Sequence, residues 1–377
     1  KWFGMYFVVS LSVFILTGCG GGGGGSVTPS QPQYQVSSTP SSANISYVTS
    51  APEAATSSYT VSTIPPPTTE ELTGLEAVDA SMLSAAARIG ARVTAQLSNP
   101  QCTPVESSGY EDYFNMIVDV YNEYRNNPAW PSGVNNIAAG YRNSKSQRVS
   151  TEFNVFHCEE EVLNAFAGYR NIAVYNGLIE LLDEATDLIY FVDSEDEYDY
   201  YLNYIGEYAK RGLHFQIVTP SMHNALVMHP TYGPESSEIF AYTLASVVFH
   251  ELGHAAMAHN LQRYRNAKNG GTPYDITLLS YAVEFQADIY SASLFKTAGE
   301  STLSVEFLLY ILGFIGSEDF SDTHPPASYR RYIVSQVDNG NITTASLTPL
   351  YTYARVLEPA RSTMRCEGSG KLRKPKR

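Results

Sequence analysis

The sequence has little positive charge. It contains 24 Lys and Arg residues against 38 Asp and Glu residues, which gives a formal net charge of −14. Nucleic acids and anionic lipid surfaces are bound through clustered cations, so this balance excludes nucleic acid as an expected partner. Beyond an apolar run near its start, the sequence has no second hydrophobic segment of membrane-spanning length and no internal repeat. Proteins or peptides are the expected partners.

Cysteine is also scarce, with only Cys19, Cys102, Cys158 and Cys366. None of them has the paired spacing of a zinc-thiolate site, so neither such a site nor a catalytic cysteine is expected. If Cys19 carries a lipid, three cysteines remain, and an oxidising compartment then favours one disulfide and one spare thiol. Pairing Cys102 with Cys158 is a guess, because a sequence does not assign connectivity.

The start of the chain indicates export. The apolar run at about 3–16 is short for a membrane span and typical of a signal-peptide core. The LTGC that ends at Cys19 resembles a lipobox, where bacterial lipoprotein precursors are cleaved before a cysteine that becomes lipid-modified. The alternative is an ordinary cleavage site beside an incidental cysteine. We predict a lipoprotein signal peptide at 1–18 and a lipid anchor in the bacterial cell envelope. Gly20 favours the outer membrane, facing the periplasm.

Composition divides the rest of the chain. Residues 19–69 are rich in Gly, Ser, Thr and Pro and bury too little apolar surface to offset their ordering entropy, which predicts a flexible tether. Residues 70–366 form the predicted globular domain. The basic segment 367–377 is either a disordered tail or a sequence added for expression.

Hydrophobic periodicity predicts an α+β fold, mostly helical with one small sheet. Helices are expected at about 70–97, 110–126, from 177 onward, 238–262, 274–298, 301–316, 326–338 and 347–364. Short β-branched or aromatic runs predict strands at 152–158 and 170–176.

The clearest chemical signal is HELGH at 250–254, within a stretch of helical apolar spacing. His250 and His254 are one helical turn apart on the same face, so both imidazoles can reach one cation. Glu251 then lies beside the metal, where its carboxylate can take a proton from water. Composition alone would produce this motif by chance about once in a hundred such chains.

A third ligand is expected for a tetrahedral catalytic zinc, with one position left open. The segment SYAVEFQADIY places Glu284 and Asp288 four residues apart on a predicted helix. We assign Glu284 as the third ligand of a single Zn²⁺ and Asp288 as an acceptor that orients a ligand imidazole. The alternative is a solvated pair on a helix surface, which the apolar neighbours of Glu284 make less natural.

Four segments resemble one family. HELGHAAMAHN, EFQAD and HPPASYRR, in this order, resemble the HtpX-like and CAAX-prenyl-protease family of gluzincin metallopeptidases. NAFAGYRNIAVYNGLIELL, at 164–182, resembles the family segment that forms the edge strand of the sheet and leads into a helix. The resemblance covers much of 160–335. It implies a zincin-like domain in which that edge strand borders the active-site cleft.

The resemblance also assigns residues. It implies that zinc is held by His250, His254 and Glu284, that Glu251 is the general base, and that Asp288 is the orienting carboxylate.

Three further residues follow from the resemblance. His259 matches a family histidine that is not a ligand, and we interpret it as a helix-packing residue. His324 or Arg330 would lie near the active site, where a donor can stabilise the oxyanion of the reaction. Equally, His324 could cap a helix and Arg330 could pair with a structural carboxylate.

The chain departs from the family pattern by an insert at about 183–237. The insert contains His214, His223 and His229, whose irregular spacing indicates scattered histidines rather than a second metal site. A lid over the cleft is one hypothesis for the insert.

The expected function is that of a zinc-dependent endopeptidase acting on exported or envelope proteins. Unfolded or misassembled proteins are the expected substrates, extended along the strand at 170–176, and the lipid is the expected membrane contact. The alternative is a latent or inactive zinc-binding chaperone or assembly factor.

Overall fold

The computed structural model describes residues 68–73, 102–130, 134–209, 217–227, 232–268, 273–317, 324–344 and 347. All of them belong to one unit, Val61–Arg377. The predicted leader, nearly all of the tether, the basic tail, the helix at 347–364 and most of the helix at 70–97 lie outside these residues.

The described residues form a mainly helical domain with one four-stranded sheet. In chain order the elements are α1 (Glu111–Tyr124), β1 (Ala139–Arg142), β2 (Phe153–Cys158), β3 (Ala165–Ala167), β4 (Asn171–Tyr175), α2 (Asn176–Leu188), α3 (Glu195–Ala209), α4 (Pro220–Val227), α5 (Tyr232–Ala256), α6 (His259–Lys268), α7 (Pro273–Ala298), α8 (Leu303–Leu312), a π-helical turn (Gly313–Ser317) and α9 (Ala327–Asp338).

The predicted class of fold, mixed and mostly helical with a small sheet, is therefore confirmed. The helices predicted at 110–126, 274–298 and 326–338, and both predicted strands, lie where the sequence placed them. Strands β1 and β3 were not predicted, because four and three residues are too few to show a clear alternation. Among the described helices, none is both long and apolar enough to cross a membrane.

The sheet has the strand order β1-β2-β4-β3. Strands β1, β2 and β4 are parallel, whereas β3 pairs with β4 in the antiparallel direction. Every residue of β2 and β4 is buried, as expected for strands that have neighbours on both sides. The prediction that 170–176 is an edge strand is therefore wrong. The short strand β3 covers β4, and β3 is the edge on this side.

Helices α5 and α7 form the centre of the domain and pack along each other. Residues 240–257 of the chain are buried apart from Tyr242, and residues 280–295 are buried apart from Phe285. A helix buried on all sides has no solvated face on which to place its polar residues. Any histidine or carboxylate in these segments must therefore find a partner inside the protein.

The single helix predicted at 238–262 is wrong, because the structure has two helices that meet next to His254. Helix α5 begins six residues earlier than predicted, at Tyr232, and ends at Ala256. Ala258 has a φ of 52°, in the left-handed region, and α6 begins at the next residue. A left-handed residue commonly ends a helix, but the residue is usually glycine. No glycine or proline marks this break in the sequence.

The described part of the insert is mostly helical, and one face of its helix α3 packs on the core. Helix α3 buries Tyr198, Leu202 and Ile205. Asp199 of the same helix accepts a hydrogen bond from the Tyr310 hydroxyl of α8. This helix is therefore anchored on the side of α8, which does not support the hypothesis of a lid for residues 195–209. His214 and His229 lie outside the described residues.

Two contacts attach the N-terminal residues to the domain. A disulfide joins Cys102 to Cys158 at the end of β2, which confirms the guessed pairing. Further upstream, the Thr68 hydroxyl accepts from the Glu71 backbone N–H, and the Glu71 carboxylate accepts from the Thr68 N–H. This reciprocal cap starts a helical turn at residues 69–73. Glu71 also accepts from Nε and Nη2 of Arg265 on α6.

The break at Ala258 generates the first prediction. A left-handed alanine costs about 1–2 kcal/mol, whereas glycine adopts this conformation freely but loses about 0.5–1 kcal/mol of chain entropy. Ala258→Gly should leave the free energy of unfolding unchanged within about 1 kcal/mol, and Ala258→Val should lower it by about 1–2 kcal/mol. Urea unfolding measures both.

Ala292→Gly is the matched control, because Ala292 lies inside α7. It should destabilise the protein by about 1 kcal/mol, as glycine does within a helix. Equal losses for the glycine variants at 258 and 292 would contradict a left-handed Ala258.

Candidate metal centre

Helices α5 and α7 bring three buried side chains together. His250 and His254 are one turn apart on α5, and Glu284 faces them from α7. The two Nε2 atoms are 3.1 Å apart, and His250 Nε2 is 3.3 Å from Glu284 Oε2. One ligand atom of each residue lies within 4.8 Å of the other two, so this group could hold a metal ion.

The carboxylate of Glu284 is the clearest sign that a cation belongs there. The residue is only 3% exposed, and its Oε2 atom receives no hydrogen bond. Its other oxygen, Oε1, lies 3.1 Å from Arg263 Nη2 and 3.4 Å from His254 Nε2. An ionised oxygen buried without a donor is costly unless a cation or proton compensates it. The residues therefore fit a bound metal ion.

His250 is oriented by a carboxylate. Its Nδ1 atom is 3.0 Å from Asp288 Oδ1, and Asp288 lies one turn after Glu284 on α7. Arg330 of α9 donates to both oxygens of Asp288, from Nε and from Nη2, each at 2.8 Å. A ligand imidazole that donates its second N–H to a carboxylate is held in one tautomer and one orientation. This is the place that the sequence assigned to Asp288.

His254 is oriented by a different kind of partner. Its Nδ1 atom is 2.8 Å from Nδ1 of His259, the first residue of α6. The Nε2 atom of His259 lies 3.0 Å from Gln286 Oε1 of α7. His259, Gln286 and His254 are all buried. His259 thus packs between helices as predicted, but it also contacts a candidate ligand.

The two candidate ligands differ in pKa because of these partners. Burial lowers the pKa of His250, but the adjacent carboxylates of Asp288 and Glu284 outweigh burial and raise the pKa to about 9. Burial lowers the pKa of His254 to about 4, against the effect of Glu284. An anionic partner therefore favours a positive charge on His250, whereas the neutral partner of His254 does not.

Glu251 lies beside the ligands, one residue after His250 on α5, and is buried. Burial raises its pKa to about 7, and Glu284 adds to this rise. A carboxyl group with a pKa near neutrality can both accept and return a proton at physiological pH.

His324 and Arg330, the two alternative catalytic candidates, differ in exposure. The His324 side chain is 49% exposed, and its Nε2 lies 3.7 Å from Glu284 Oε2. Arg330 is 5% exposed and holds Asp288, which is the pairing with a buried carboxylate that the sequence left open. Its Nη2 also lies 3.8 Å from Glu284 Oε2. Of the two, only His324 is open to solvent at the site.

Strand β3 borders the metal centre through α6. Pairing with β4 in the observed register directs the backbone groups of Ala165 and Ala167 away from β4. The carbonyl oxygen of Ala167 accepts a hydrogen bond of 2.6 Å from Asn260 Nδ2. Asn260 is the residue after His259, so the outer edge of β3 runs close to the candidate ligands.

Two residues near the candidate ligands, Arg263 and Gln286, were absent from the sequence-based assignment, and His259 has a contact with His254 beyond its predicted packing role. Gln286 lies two positions after Glu284, so a helical periodicity places it on another face. The sequence signal that could have identified Gln286 is an uncharged polar residue within an apolar helical segment, because such a segment is buried on all sides. Arg263 had no signal, because its position follows from the break at Ala258.

His223 belongs to a separate cluster with Asp187 and Tyr232. Among the described residues, the His250, His254 and Glu284 group is the one whose atoms could hold a metal ion.

No protein-family model matches the chain, and no curated protein matches it.

The buried Asp288 and Arg330 pair generates the second prediction. Arg330→Lys keeps the positive charge but cannot donate to both oxygens of Asp288 in parallel. We expect the free energy of unfolding of the metal-free protein to fall by about 1–3 kcal/mol, because a buried oxygen loses its donor. Chemical denaturation measures this loss.

Arg331→Lys is the control on the same helix. Arg331 lies over the ring of Tyr310 at 4.9 Å, a contact that lysine partly keeps. The free energy of unfolding of Arg331→Lys should fall by less than about 1 kcal/mol. Equal effects at 330 and 331 would show that the paired donors to Asp288 contribute little.

Proposed function

We propose that the protein is a zinc-dependent metalloendopeptidase with a zincin-like fold, similar to the HtpX-like and CAAX-prenyl-protease family. The observation that carries this proposal is the buried His250, His254 and Glu284 group, with a carboxylate oxygen that lacks a donor and Glu251 beside it. A structural zinc site usually has four protein ligands, whereas catalytic sites keep a position open.

The distances support zinc as the ion. Ligand distances of about 2.0–2.1 Å in a tetrahedron separate the ligand atoms by about 3.3–3.4 Å. The Nε2 atoms of His250 and His254 are 3.1 Å apart, and His250 Nε2 is 3.3 Å from Glu284 Oε2. Two imidazoles and one carboxylate are also a donor set of catalytic zinc sites.

The chemistry follows from the neighbours of the ion. When bound, zinc supplies a Lewis acid that polarises a peptide carbonyl and makes water more acidic. Glu251 accepts the proton of the attacking water and returns it to the leaving amine. Asp288, held by Arg330, keeps the Nε2 lone pair of His250 directed at the ion. His324 lies at the exposed side, where a donor could contact the substrate carbonyl.

The substrate binds as an extended strand along β3, and not along β4. The backbone groups of Ala165 and the N–H of Ala167 point away from β4 and can pair with a substrate strand of almost any sequence, whereas the Ala167 carbonyl is already bonded to Asn260. This mode suits unfolded or misassembled proteins. With a lipid on Cys19, such substrates would be exported proteins of the bacterial envelope, and the enzyme would face the periplasm from the outer membrane.

The alternative is a latent zinc-binding chaperone or assembly factor. His324 favours it, because its Nε2 is 3.7 Å from a ligand oxygen and could fill the open position. Cleavage assays separate the two functions.

Glu251→Gln tests the enzyme. The full-length wild-type chain should contain one zinc ion, cleave casein, and lose cleavage when the metal is removed by a chelator. The variant should keep its zinc, because Glu251 is not a ligand. Its cleavage rate should fall by about 100-fold or more, because the general base is lost.

Elemental analysis and cleavage rates on the same preparations give the answer. A variant with wild-type zinc and wild-type rate would exclude the mechanism. A zinc-loaded wild type that cleaves no unfolded protein would favour the chaperone.

Cys19→Ser tests the anchor. We expect the variant to move from the membrane fraction to the soluble fraction after cell fractionation, because the lipid-bearing thiol is lost. Cys366→Ser is the control and should stay with the membrane. Retention of Cys19→Ser in the membrane would contradict a lipid anchor at this residue.

A further inference from the structure

The two candidate imidazole ligands are held by partners of opposite chemistry. His250 Nδ1 faces the Asp288 carboxylate, which is itself fixed by Arg330. His254 Nδ1 faces another imidazole, that of His259, and His259 faces the amide of Gln286. Packing alone explains neither the alignment of these atoms nor an amide inside a helix that is buried on all sides.

The distance between the two Nδ1 atoms fixes the number of protons between them. At 2.8 Å the contact is a hydrogen bond, and a nitrogen–nitrogen hydrogen bond holds one proton. One ring therefore donates and the other accepts. Geometry at this contact alone does not say which.

Gln286 decides the direction. Its Oε1 atom is 3.0 Å from His259 Nε2, and an amide oxygen only accepts. The proton of neutral His259 is therefore on Nε2, which leaves His259 Nδ1 as an acceptor. His254 must then carry its proton on Nδ1, and its Nε2 lone pair points at His250 and Glu284.

We propose that His259 and Gln286 form a neutral hydrogen-bond relay that fixes His254 in the Nδ1–H tautomer and keeps its Nε2 atom available to the metal ion. The relay makes His259 and Gln286 positioning residues of the site. The inference rests on the proposed metal site, and it does not depend on peptide cleavage.

If His259 donated to His254 instead, two other contacts would be unfavourable. A proton on His254 Nε2 would lie between the two Nε2 atoms, which are 3.1 Å apart, in the space that the ion requires. His259 Nε2 would lose its proton and face the Gln286 oxygen as a second acceptor. In the proposed direction, each contact of His259 pairs a donor with an acceptor, and the Nε2 lone pairs of His250 and His254 face the space that the ion would occupy.

The backbone break explains how His259 reaches His254. In a continuous helix, residues five apart lie about 140° apart around the axis, so their rings would diverge. The left-handed Ala258 ends α5 and starts α6 at His259, and the two ring centroids come within 4.9 Å of each other. The conformation of Ala258 thus serves the metal centre.

Two variants at 259 separate the relay from packing. The amide oxygen of asparagine can take the place of the imidazole Nδ1 as an acceptor, whereas phenylalanine keeps the ring but has no acceptor. His259→Asn should keep zinc affinity within about 3-fold of the wild type, and His259→Phe should lose about 10-fold to 100-fold. A competition assay with a chromophoric chelator measures the affinity of the full-length chain.

A packing role predicts the reverse order, because Phe fills the ring site and Asn leaves a cavity. The thermal midpoint of the metal-free protein should follow that reverse order, so affinity and stability should rank the variants differently. Zinc affinity of His259→Phe equal to the wild type would overturn the relay.

A second pair at 286 covers the case in which a variant at 259 does not fold. Gln286→Glu keeps an acceptor for His259 Nε2–H and should retain zinc affinity within about 3-fold, whereas its added buried charge should lower the stability of the metal-free protein. Gln286→Leu removes the acceptor at similar volume, and its affinity should fall by about 10-fold. Equal affinities for both variants would overturn the role of Gln286.

The tautomer itself can be observed without any variant that alters the site. In the metal-free wild type labelled with ¹⁵N-histidine, two-bond ¹H–¹⁵N correlations should show the proton of His254 on Nδ1 and that of His259 on Nε2. A proton on His254 Nε2 would overturn the proposal. Failure of Glu251-dependent cleavage would remove the peptidase and leave these affinities and tautomers unchanged, so the two proposals fail separately.

Discussion

The carboxylate of Glu284 is the constraint on which the rest of the site depends. It lies on a helix that is buried on all sides, so water cannot solvate its charge. Burial raises the pKa of Glu284, but His324, His254 and His250 outweigh burial and hold the pKa well below its usual range. The group is therefore ionised, and Arg263 and Arg330 lie within 4 Å of it. Even so, Oε2 has no hydrogen-bond donor, so the site has the residues and the charge to hold a metal ion.

The fold meets this constraint by packing two long helices along each other. Helix α5 supplies two imidazoles on one face, and α7 supplies a ligand, the Asp288 carboxylate and the Gln286 amide on more than one face. Each ligand then meets a partner from a third element. Arg330 comes from α9, whereas His259 and Arg263 come from α6. The position of α6 depends on one left-handed residue, Ala258, so a local backbone feature sets the surroundings of two ligands.

The sequence predicts well which residues form the candidate metal group, but it predicts their surroundings poorly, for a physical reason. His250, His254, Glu284 and Asp288 follow from spacing within one helix, and this spacing is local. The strand order that covers β4 with β3, and the break at Ala258, depend on contacts between distant segments. Alanine gives no signal for a left-handed conformation, so the sequence predicts one helix across 238–262. From the sequence, His259 therefore looks like a packing residue, and nothing in the sequence indicates that Gln286 contacts it.

The different partners of the two imidazoles follow from the cost of burying charge. An orienting carboxylate at His254, like Asp288 at His250, would add a buried negative charge beside Glu284 and Glu251. Such a charge is tolerated only with its own cation, as Arg330 provides for Asp288. The guanidinium of Arg263, on α6, already contacts Glu284. A relay of one imidazole and one amide orients His254 without adding a charge. The negative charge of Glu284 is then left for the metal ion to balance.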